Sequence, residues 1–269
     1  MIPKVIHYCW FGGNEKPDIV IKCIESWKQF CPEWEIHEWN ENNFDVLLVP
    51  FMKEAYEKKK WAFVSDVARL LIIYQLGGVY LDTDVELHDL IDSWLDNDAF
   101  YIFESNRNIA TGLGFGAIKG QASVKAMLDY YEGKHFVING KVKMKPCPAG
   151  NTESLKNKYP EFKRYDCSQQ IGRIRVLSRY EYSLKAKHHG AATWVDGLNV
   201  KKKSYRNGYK ETKLKQFLRD SRRFDFVEKY FGKRVTDIYT FISYDLLEMG
   251  IGYYCKRIVS RIINKEREL

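Results

Sequence analysis

Two aspartates with one residue between them are the clearest candidates for chemistry in this 269-residue sequence. Asp82 and Asp84 come at the end of an apolar run at positions 79–81, which predicts a strand continuing to Val85. Since side chains two residues apart leave the same face of a strand, both carboxylates are expected to reach one point. Two hard oxygen ligands suit Mg²⁺ or Mn²⁺, which bind carboxylates together with substrate phosphates. The pair predicts a metal site, and the alternative is a solvated strand end.

A second polar pair, Asp66 and Arg69, precedes that strand at a spacing that places both side chains on one face of a helix. A carboxylate that accepts hydrogen bonds beside a guanidinium that donates them suits sugar hydroxyls and phosphate oxygens. The alternative is an exposed intrahelical ion pair. Ser65 is interpreted as the N-cap of this helix and Gly77 as the residue after its end. Four apolar residues at helical spacing predict the helix: Val67, Leu70, Leu71 and Tyr74.

The elements that must position these side chains alternate between strands and helices. The sequence predicts a buried strand over residues 5–10, a helix over 19–30 and a strand over 35–39. Two further strands are expected within 99–103 and 112–118, and a helix over 123–131, whereas the pattern of 139–170 is ambiguous. This order predicts an α/β fold with parallel strand pairs, and ligands of such sheets bind at the carboxyl ends of the strands.

Charge is divided unequally along the chain. Residues 1–200 contain 25 Lys and Arg against 26 Asp and Glu, whereas residues 201–269 contain 18 against 9, so the net charge of +8 resides in the C-terminal segment. An apolar series at helical spacing within that segment, between Val235 and Tyr253, suits an interfacial helix on anionic lipid or a helix packed on the main domain. A basic nucleic-acid-binding protein is the alternative from another functional class.

Composition favours a folded protein of the cytoplasm. The hydrophobic share of 45% excludes a disordered chain, and no apolar stretch approaches the roughly 20 residues that a transmembrane helix needs. No export signal is recognised at the N-terminus. The six cysteines form no C-x-x-C pair, which argues against a zinc ribbon and favours buried thiols in a reducing compartment.

Residues 63–84 closely resemble the sugar-binding D-x-D region of glycosyltransferase family 32, with S-D-x-x-R followed by G-G-x-Y-x-D-x-D at matching separation. Two outlying segments agree with this resemblance. Residues 6–13 are similar to the family's opening I-H-x-x-W-x-G-G strand, and residues 188–194 are similar to its C-terminal H-H-x-x-x-S-W segment, with Thr193 in place of the usual Ser. The resemblance extends over roughly residues 2–194.

The resemblance implies a metal-dependent enzyme of the type A glycosyltransferase fold, a Rossmann-like nucleotide-binding mixed sheet with flanking helices. The catalytic domain would comprise residues 1–200, and residues 201–269 would form a basic, mostly helical extension. The ion would be Mn²⁺ or Mg²⁺, bound by Asp82 and Asp84, with His188, His189 or Thr193 completing its shell. The donor would be a UDP- or GDP-sugar, UDP being favoured. Other residues expected to contact the donor are Trp10, Ser65, Asp66, Arg69, Tyr80 and Trp194.

For Trp10 the resemblance implies stacking on the donor's base, and a core tryptophan is the alternative. The implied reaction is a retaining hexosyl transfer to a saccharide or lipid-linked acceptor in surface polysaccharide biosynthesis, by a cytoplasmic enzyme peripherally bound to the inner face of the plasma membrane. Nucleic acid is not expected as a partner of such an enzyme. A transferase that serves only to bind sugar nucleotides is a further alternative, against which the intact acidic pair argues.

Overall fold

The computed structural model describes residues 1–105, 107–142 and 147–190. Its strands are β1 (Val5–Cys9), β2 (Glu35–Trp39), β3 (Gly78–Tyr80), β4 (Val85–Leu87), β5 (Ala99–Ile102), β6 (Phe115–Ala117), β7 (Val137–Ile138), β8 (Lys141–Val142), β9 (Gln169–Ile171), β10 (Ile174–Leu177) and β11 (Ala186–His188). Its helices are α1 (Asp18–Phe30), α2 (Pro50–Glu57), α3 (Trp61–Leu76), α4 (Ala122–Asp129), α5 (Cys147–Lys158) and α6 (Arg179–Ser183). The predicted C-terminal extension lies outside the described residues, as do Thr193 and Trp194.

Seven strands form a mixed sheet in the order β2-β1-β3-β6-β5-β10-β9. Parallel pairing joins β1 to β2 and β3, and joins β5 to β10. Strand β6 runs antiparallel between β3 and β5, so β1, β3, β5 and β10 all point the same way. The carboxyl ends of these four strands therefore meet at one edge of the sheet, named here the carboxyl edge.

Both faces of the sheet are covered, because alternate side chains of its strands enter two separate cores. Tyr80 and Tyr101 pack on the face covered by α3, whereas Val79 and Phe100 pack on the other face with Trp27 of α1. A mixed sheet between two helical layers confirms the predicted α/β fold class. None of the helices in the described ranges has the length and apolarity that crossing a bilayer requires.

The helix that carries Asp66 begins earlier than the sequence predicted. Helix α3 starts at Trp61 with Lys60 at the N-cap, so the interpretation of Ser65 as the N-cap is wrong. The buried Phe63 and Val64 extend the apolar face one turn towards the N-terminus, and this extension carries the helix past the local capping signal. The other end of the helix is as predicted, with Gly77 following Leu76 at a φ of 75°.

The predicted strand through Val85 is interrupted at the aspartates. Strand β3 ends at Tyr80, and a turn closed by the Val85 N–H donating to the Asp82 carbonyl at 3.0 Å carries Asp82 and Asp84. Strand β4 then pairs with β11 in a separate two-stranded sheet. The expectation that strand alternation places the carboxylates on one face is therefore wrong, because the turn brings them together instead.

Burial of the cysteines agrees with the expectation of apolar packing. The five that fall in the described ranges are all buried, and these are Cys9, Cys23, Cys31, Cys147 and Cys167. Burial raises the pKa of Cys9 and of Cys23 to about 12, which keeps both side chains as thiols at neutral pH.

Candidate metal and sugar-binding site

Arg69 is the centre of a buried ion-pair network on α3. Its Nη2 lies 3.3 Å from Asp66 Oδ1 and 3.2 Å from Asp82 Oδ1, and its Nε–H donates to the Ser65 carbonyl at 2.9 Å. Arg69 is 3% exposed and Asp66 is 8% exposed, so the alternative of an exposed intrahelical pair is wrong. Burial opposes the charge on Arg69, but Asp82 and Asp66 outweigh it and hold the arginine's pKa well above its ordinary value.

Two opposing effects, burial and the charge of Arg69, act on the pKa values of the two carboxylates in this network. Burial raises the pKa of Asp66 while the adjacent Arg69 lowers it, and the same opposition acts on Asp82, whose pKa is raised overall. The Tyr80 hydroxyl donates to Asp82 Oδ1 at 3.1 Å, and the ring of Tyr80 lies 4.9 Å from Arg69 Cζ. Tyr80 therefore orients both Asp82 and Arg69 from beneath, and the charged groups are fixed before any ligand enters.

Gly112 packs against the same carboxylate from the segment before β6. The Asp82 N–H donates to the Gly112 carbonyl at 3.1 Å, and a Cβ added to Gly112 would lie 2.2 Å from Asp82 Oδ2. Only glycine fits here without moving the carboxylate. The sequence predicted Gly112 only as part of a strand-like run, and no spacing rule marked it as part of the site.

A metal-ligand cluster forms where the turn of the aspartates meets β11. One ligand atom each from Asp82, Asp84 and His188 lies within 4.8 Å of the others, and His188 Nε2 is 3.0 Å from Asp84 Oδ1. Two carboxylates and an imidazole fit a divalent ion with bonds of about 2.0–2.1 Å, whose opposite ligands are roughly 4 Å apart. Burial opposes protonation of His188, but the hydrogen bond and charge of Asp84 outweigh it and raise the histidine's pKa.

The structure separates the two adjacent histidines. His189 Nε2 lies 2.7 Å from Glu86 Oε2, and Lys22 of α1 contacts the other oxygen of that carboxylate at 2.9 Å. The His189 N–H donates to the Asp84 carbonyl at 2.9 Å. Of the two histidines predicted as ligands, His188 therefore faces the aspartates, whereas His189 fastens the end of β11 to β4.

Residues 17–101 match the family described as the glycosyltransferase sugar-binding region containing the DXD motif. The chain carries this sugar-binding region. The predicted resemblance to this family is confirmed over the matched segment, which includes Asp66, Arg69, Asp82 and Asp84.

Two curated relatives are mannosyltransferases. The chain is 28% identical over 123 residues to inositol phosphoceramide mannosyltransferase 3 of Schizosaccharomyces pombe, covering 44% of this chain and 34% of the relative. It is 28% identical over 116 residues to the initiation-specific alpha-1,6-mannosyltransferase of Candida albicans, covering 39% of this chain and 30% of the relative. The matched segments therefore span about a third of the length of these two relatives.

Among solved structures, PaToxG glycosyltransferase superposes with a TM-score of 0.46 at 16% identity, covering 59% of this chain and 70% of that one.

Trp10 follows β1 at the carboxyl edge of the sheet. Its ring is partly buried against the core on the α1 side of the sheet, and its Nε1–H donates to the Asn14 carbonyl at 2.7 Å. Lys16 Nζ lies 5.8 Å from the ring centroid. The indole N–H of Trp10 is thus fixed by a hydrogen bond, but the ring is only half-buried. Its burial is therefore intermediate between the two alternatives that the sequence left open, a core tryptophan and one that stacks on a base.

His7 of β1 links that strand to β2 and to the start of β3. Its Nε2–H donates to the Gly77 carbonyl at 3.1 Å, and its Nδ1 accepts from the Trp39 indole at 3.1 Å. The contact with Trp39 requires an unprotonated Nδ1 and therefore a neutral ring, and burial lowers the pKa of His7 to about 4. This histidine positions β3, and through β3 the turn of the aspartates, without facing the site itself.

Glu104 is a carboxylate that was not among the site residues predicted from the sequence. It follows β5 at the carboxyl edge, and its side chain is exposed. Although the residue as a whole is exposed, neighbouring protein groups desolvate its carboxylate and raise the pKa of Glu104, and the charges of His188, Asp66 and Arg179 act on it as well. The sequence signal that could have identified Glu104 is its position as a polar residue directly after a predicted strand, which is also the position of Asp82.

Proposed function

We propose that this chain is a retaining, metal-dependent glycosyltransferase that transfers a hexose from a nucleotide sugar to a saccharide or glycolipid acceptor. The observation that carries the proposal is the buried network of Asp66, Arg69 and Asp82 beside the cluster of Asp82, Asp84 and His188. A sugar-binding pair and a cation-binding cluster that share one carboxylate are what a sugar diphosphate requires. The match to the DXD-containing family supports the same proposal.

The donor would lie along the carboxyl edge. Asp66 would accept hydrogen bonds from sugar hydroxyls, and Arg69, held rigid by its carboxylate partners, would donate to hydroxyl or phosphate oxygens. Asp82, Asp84 and His188 would hold Mn²⁺ or Mg²⁺, which when bound supplies positive charge against the diphosphate leaving group. Because these side chains are already paired, and Asp66 and Arg69 are also buried, little reorganisation is needed when charge develops.

The transfer proposed is a front-face displacement. The bond from the anomeric carbon to the phosphate oxygen breaks, and the bond to the acceptor oxygen forms on the same face. The departing phosphate takes the proton of the acceptor hydroxyl, so the configuration is retained without a covalent enzyme intermediate. The protein's contribution is to hold both substrates in this geometry, the kind of positioning that accounts for a large share of rate enhancement in transfer reactions.

The nucleotide would be UDP, with GDP as the alternative, and its base would stack on the half-buried Trp10. Relatives named as mannosyltransferases support a hexose donor. We further propose a role in surface polysaccharide synthesis at the inner face of the plasma membrane. The basic C-terminal segment, with 18 Lys and Arg against 9 Asp and Glu, would hold the enzyme near a lipid-linked acceptor.

The test is donor hydrolysis by the full chain with UDP-glucose, UDP-galactose and GDP-mannose, with Mn²⁺ and after its removal by a chelator. Asp82→Asn and His188→Ala should each lower the Mn²⁺-dependent rate at least about 100-fold, because each removes a ligand. The matched control is Asp129→Asn on the exposed end of α4, which should retain wild-type turnover. No binding or hydrolysis of any of these donors by the wild-type chain would refute the enzyme assignment.

A further inference from the structure

Glu104 lies on the opposite side of the acidic pair from the strand that carries Trp10. In the sheet order, β1 is the neighbour of β3 on one side, whereas β5 is reached on the other side through β6. Because β1, β3 and β5 all point the same way, Trp10, Asp82 and Glu104 follow the carboxyl ends of three strands in that order. Asp82 thus lies between an aromatic side chain and a carboxylate.

The carboxylate of Glu104 makes no hydrogen bond or ion pair with any side chain or backbone group in the described ranges. This sets it apart from the acidic groups beside it, since Asp66 and Asp82 contact Arg69, and Asp84 contacts His188. Its backbone is nevertheless fixed, with its N–H donating to the Asn108 carbonyl at 2.9 Å and Phe103 bridged to Ile109. A carboxylate on a fixed backbone at the carboxyl edge of the sheet is available to a ligand.

The strand order places Glu104 at the same edge of the sheet as Asp82 and Asp84. Charges on Asp66, His188 and Arg179 all act on its carboxylate, although these residues come from α3, β11 and α6. Arg179 begins α6 directly after β10, which is the next strand of the sheet beyond β5, and it is itself held by Asp166 Oδ2 at 2.8 Å. The carboxyl edge therefore continues past the acidic pair towards β10.

We propose that Glu104 is an acceptor-binding residue, whose carboxylate accepts a hydrogen bond from a hydroxyl of the acceptor sugar on the side of the cleft away from Trp10. This inference rests on the proposed function. It also assigns a specificity: a negative carboxylate at this subsite favours a neutral sugar ring and disfavours one that bears a carboxylate or phosphate, because like charges repel at short range.

The experiment compares transfer with hydrolysis in the full chain. Octyl glucoside, octyl mannoside, octyl galactoside and octyl glucuronide serve as acceptor probes, with the donor that the wild-type chain hydrolyses fastest in Mn²⁺. The variants are Glu104→Gln, which removes charge at constant size, and Glu104→Asp, which keeps the charge. Glu33→Gln is the matched control, because Glu33 is an exposed carboxylate that precedes β2 and so lies at the opposite edge of the sheet.

The expected result for Glu104→Gln is a rise of about tenfold or more in the acceptor KM, the loss anticipated when a charge-assisted hydrogen bond is weakened. Donor KM and the rate of donor hydrolysis should stay within about twofold of wild type, discrimination against octyl glucuronide should shrink, and Glu104→Asp should recover part of the lost transfer.

Three outcomes would overturn the inference. Unchanged transfer by Glu104→Gln would show that the carboxylate does not contact the acceptor. An equal loss of transfer and hydrolysis would place it on the donor. Hydrolysis by the wild-type chain without transfer to any of the probes would show that the cleft beside Glu104 does not receive sugar hydroxyls. Absence of donor turnover under every divalent ion is a different failure, since it refutes the proposed function itself.

Discussion

Replacing Gly112 with alanine should disable the site while leaving the fold in place. The added methyl group would lie 2.2 Å from Asp82 Oδ2, whereas ordinary contacts of this kind begin at 3.4 Å, so the carboxylate must retreat by about 1.2 Å. Arg69 Nη1, at 3.0 Å from the same position, blocks one direction of retreat. The Asp82 side chain is 29% exposed, so it can instead swing outwards, away from Arg69 and from the metal-ligand cluster.

The magnitude follows from this displacement. Misplacing a catalytic group by about 1 Å costs on the order of 100-fold in rate, which corresponds to about 2.7 kcal/mol of activation free energy. We therefore expect Gly112→Ala to lower kcat/KM for donor hydrolysis by about 100-fold and to weaken Mn²⁺ binding. The free energy of unfolding should change by no more than about 1 kcal/mol, because a partly exposed side chain absorbs the clash.

The assay combines steady-state hydrolysis with a direct Mn²⁺ titration followed by electron paramagnetic resonance, which reports metal binding without turnover. Gly120→Ala is the control: its backbone also changes, at a φ of 73°, but its added Cβ meets nothing within 4 Å. That variant should lose stability through backbone strain and keep full activity. Wild-type hydrolysis and Mn²⁺ affinity in Gly112→Ala would refute the argument that this glycine fixes the position of Asp82.

Two further predictions concern stability. Arg69→Met leaves Asp66 and Asp82 without their cation and should lower the free energy of unfolding in urea by about 3 kcal/mol or more. Lys125→Met breaks an exposed ion pair on α4 and should lower the same free energy by less than about 1 kcal/mol. Equal losses in the two variants would contradict the assigned burial of Arg69. His7 has a pKa of about 4 when folded and 6.5 when unfolded, so its contribution is complete above pH 6.5 and is lost as pH falls towards 4. The difference in unfolding free energy between wild type and His7→Asn should therefore shrink by up to about 3 kcal/mol over that range, and a difference independent of pH would disprove the neutral ring.

The sequence predicted the elements whose patterns are local. Strand β2 and helix α1 were located to within a residue or two, because alternation and helical spacing are set by neighbouring residues alone. The strand-helix-strand order predicted parallel strand pairs, and β1 does pair in parallel with β2 and β3.

The errors lie where tertiary packing overrides a local signal. Ser65 had the chemistry of an N-cap, but the buried face of α3 extended beyond it. The strand expected to continue to Val85 ended at Tyr80, because β4 found its partner in β11, about 100 residues later in the chain. No pattern within residues 79–85 contains that partner.

Dependence on distant strands also explains why the sequence could not distinguish the roles of the two histidines or identify Glu104. Adjacent residues His188 and His189 are equivalent to any spacing rule, and only the pairing of β11 with β4 determines which one faces the aspartates. Glu104 belongs to a stretch without recognisable motif, and its significance comes from the order of strands in the sheet. Candidate residues within one motif were accessible from the sequence, whereas those defined by the meeting of distant strands were not.

The ladder between β11 and β4 has an implication for how such a chain can diversify. His188 is opposite Val85, and this pairing alone sets its place beside Asp84, whatever lies in the chain between them. Length changes in the exposed loops between the two strands would leave Asp84 and His188 in register, whereas a slip of a single residue in the ladder would exchange His188 for a neighbour facing the other way. On the proposed function, the segment that includes Glu104 could be rebuilt for new acceptors while Asp84 and His188 keep their places beside each other.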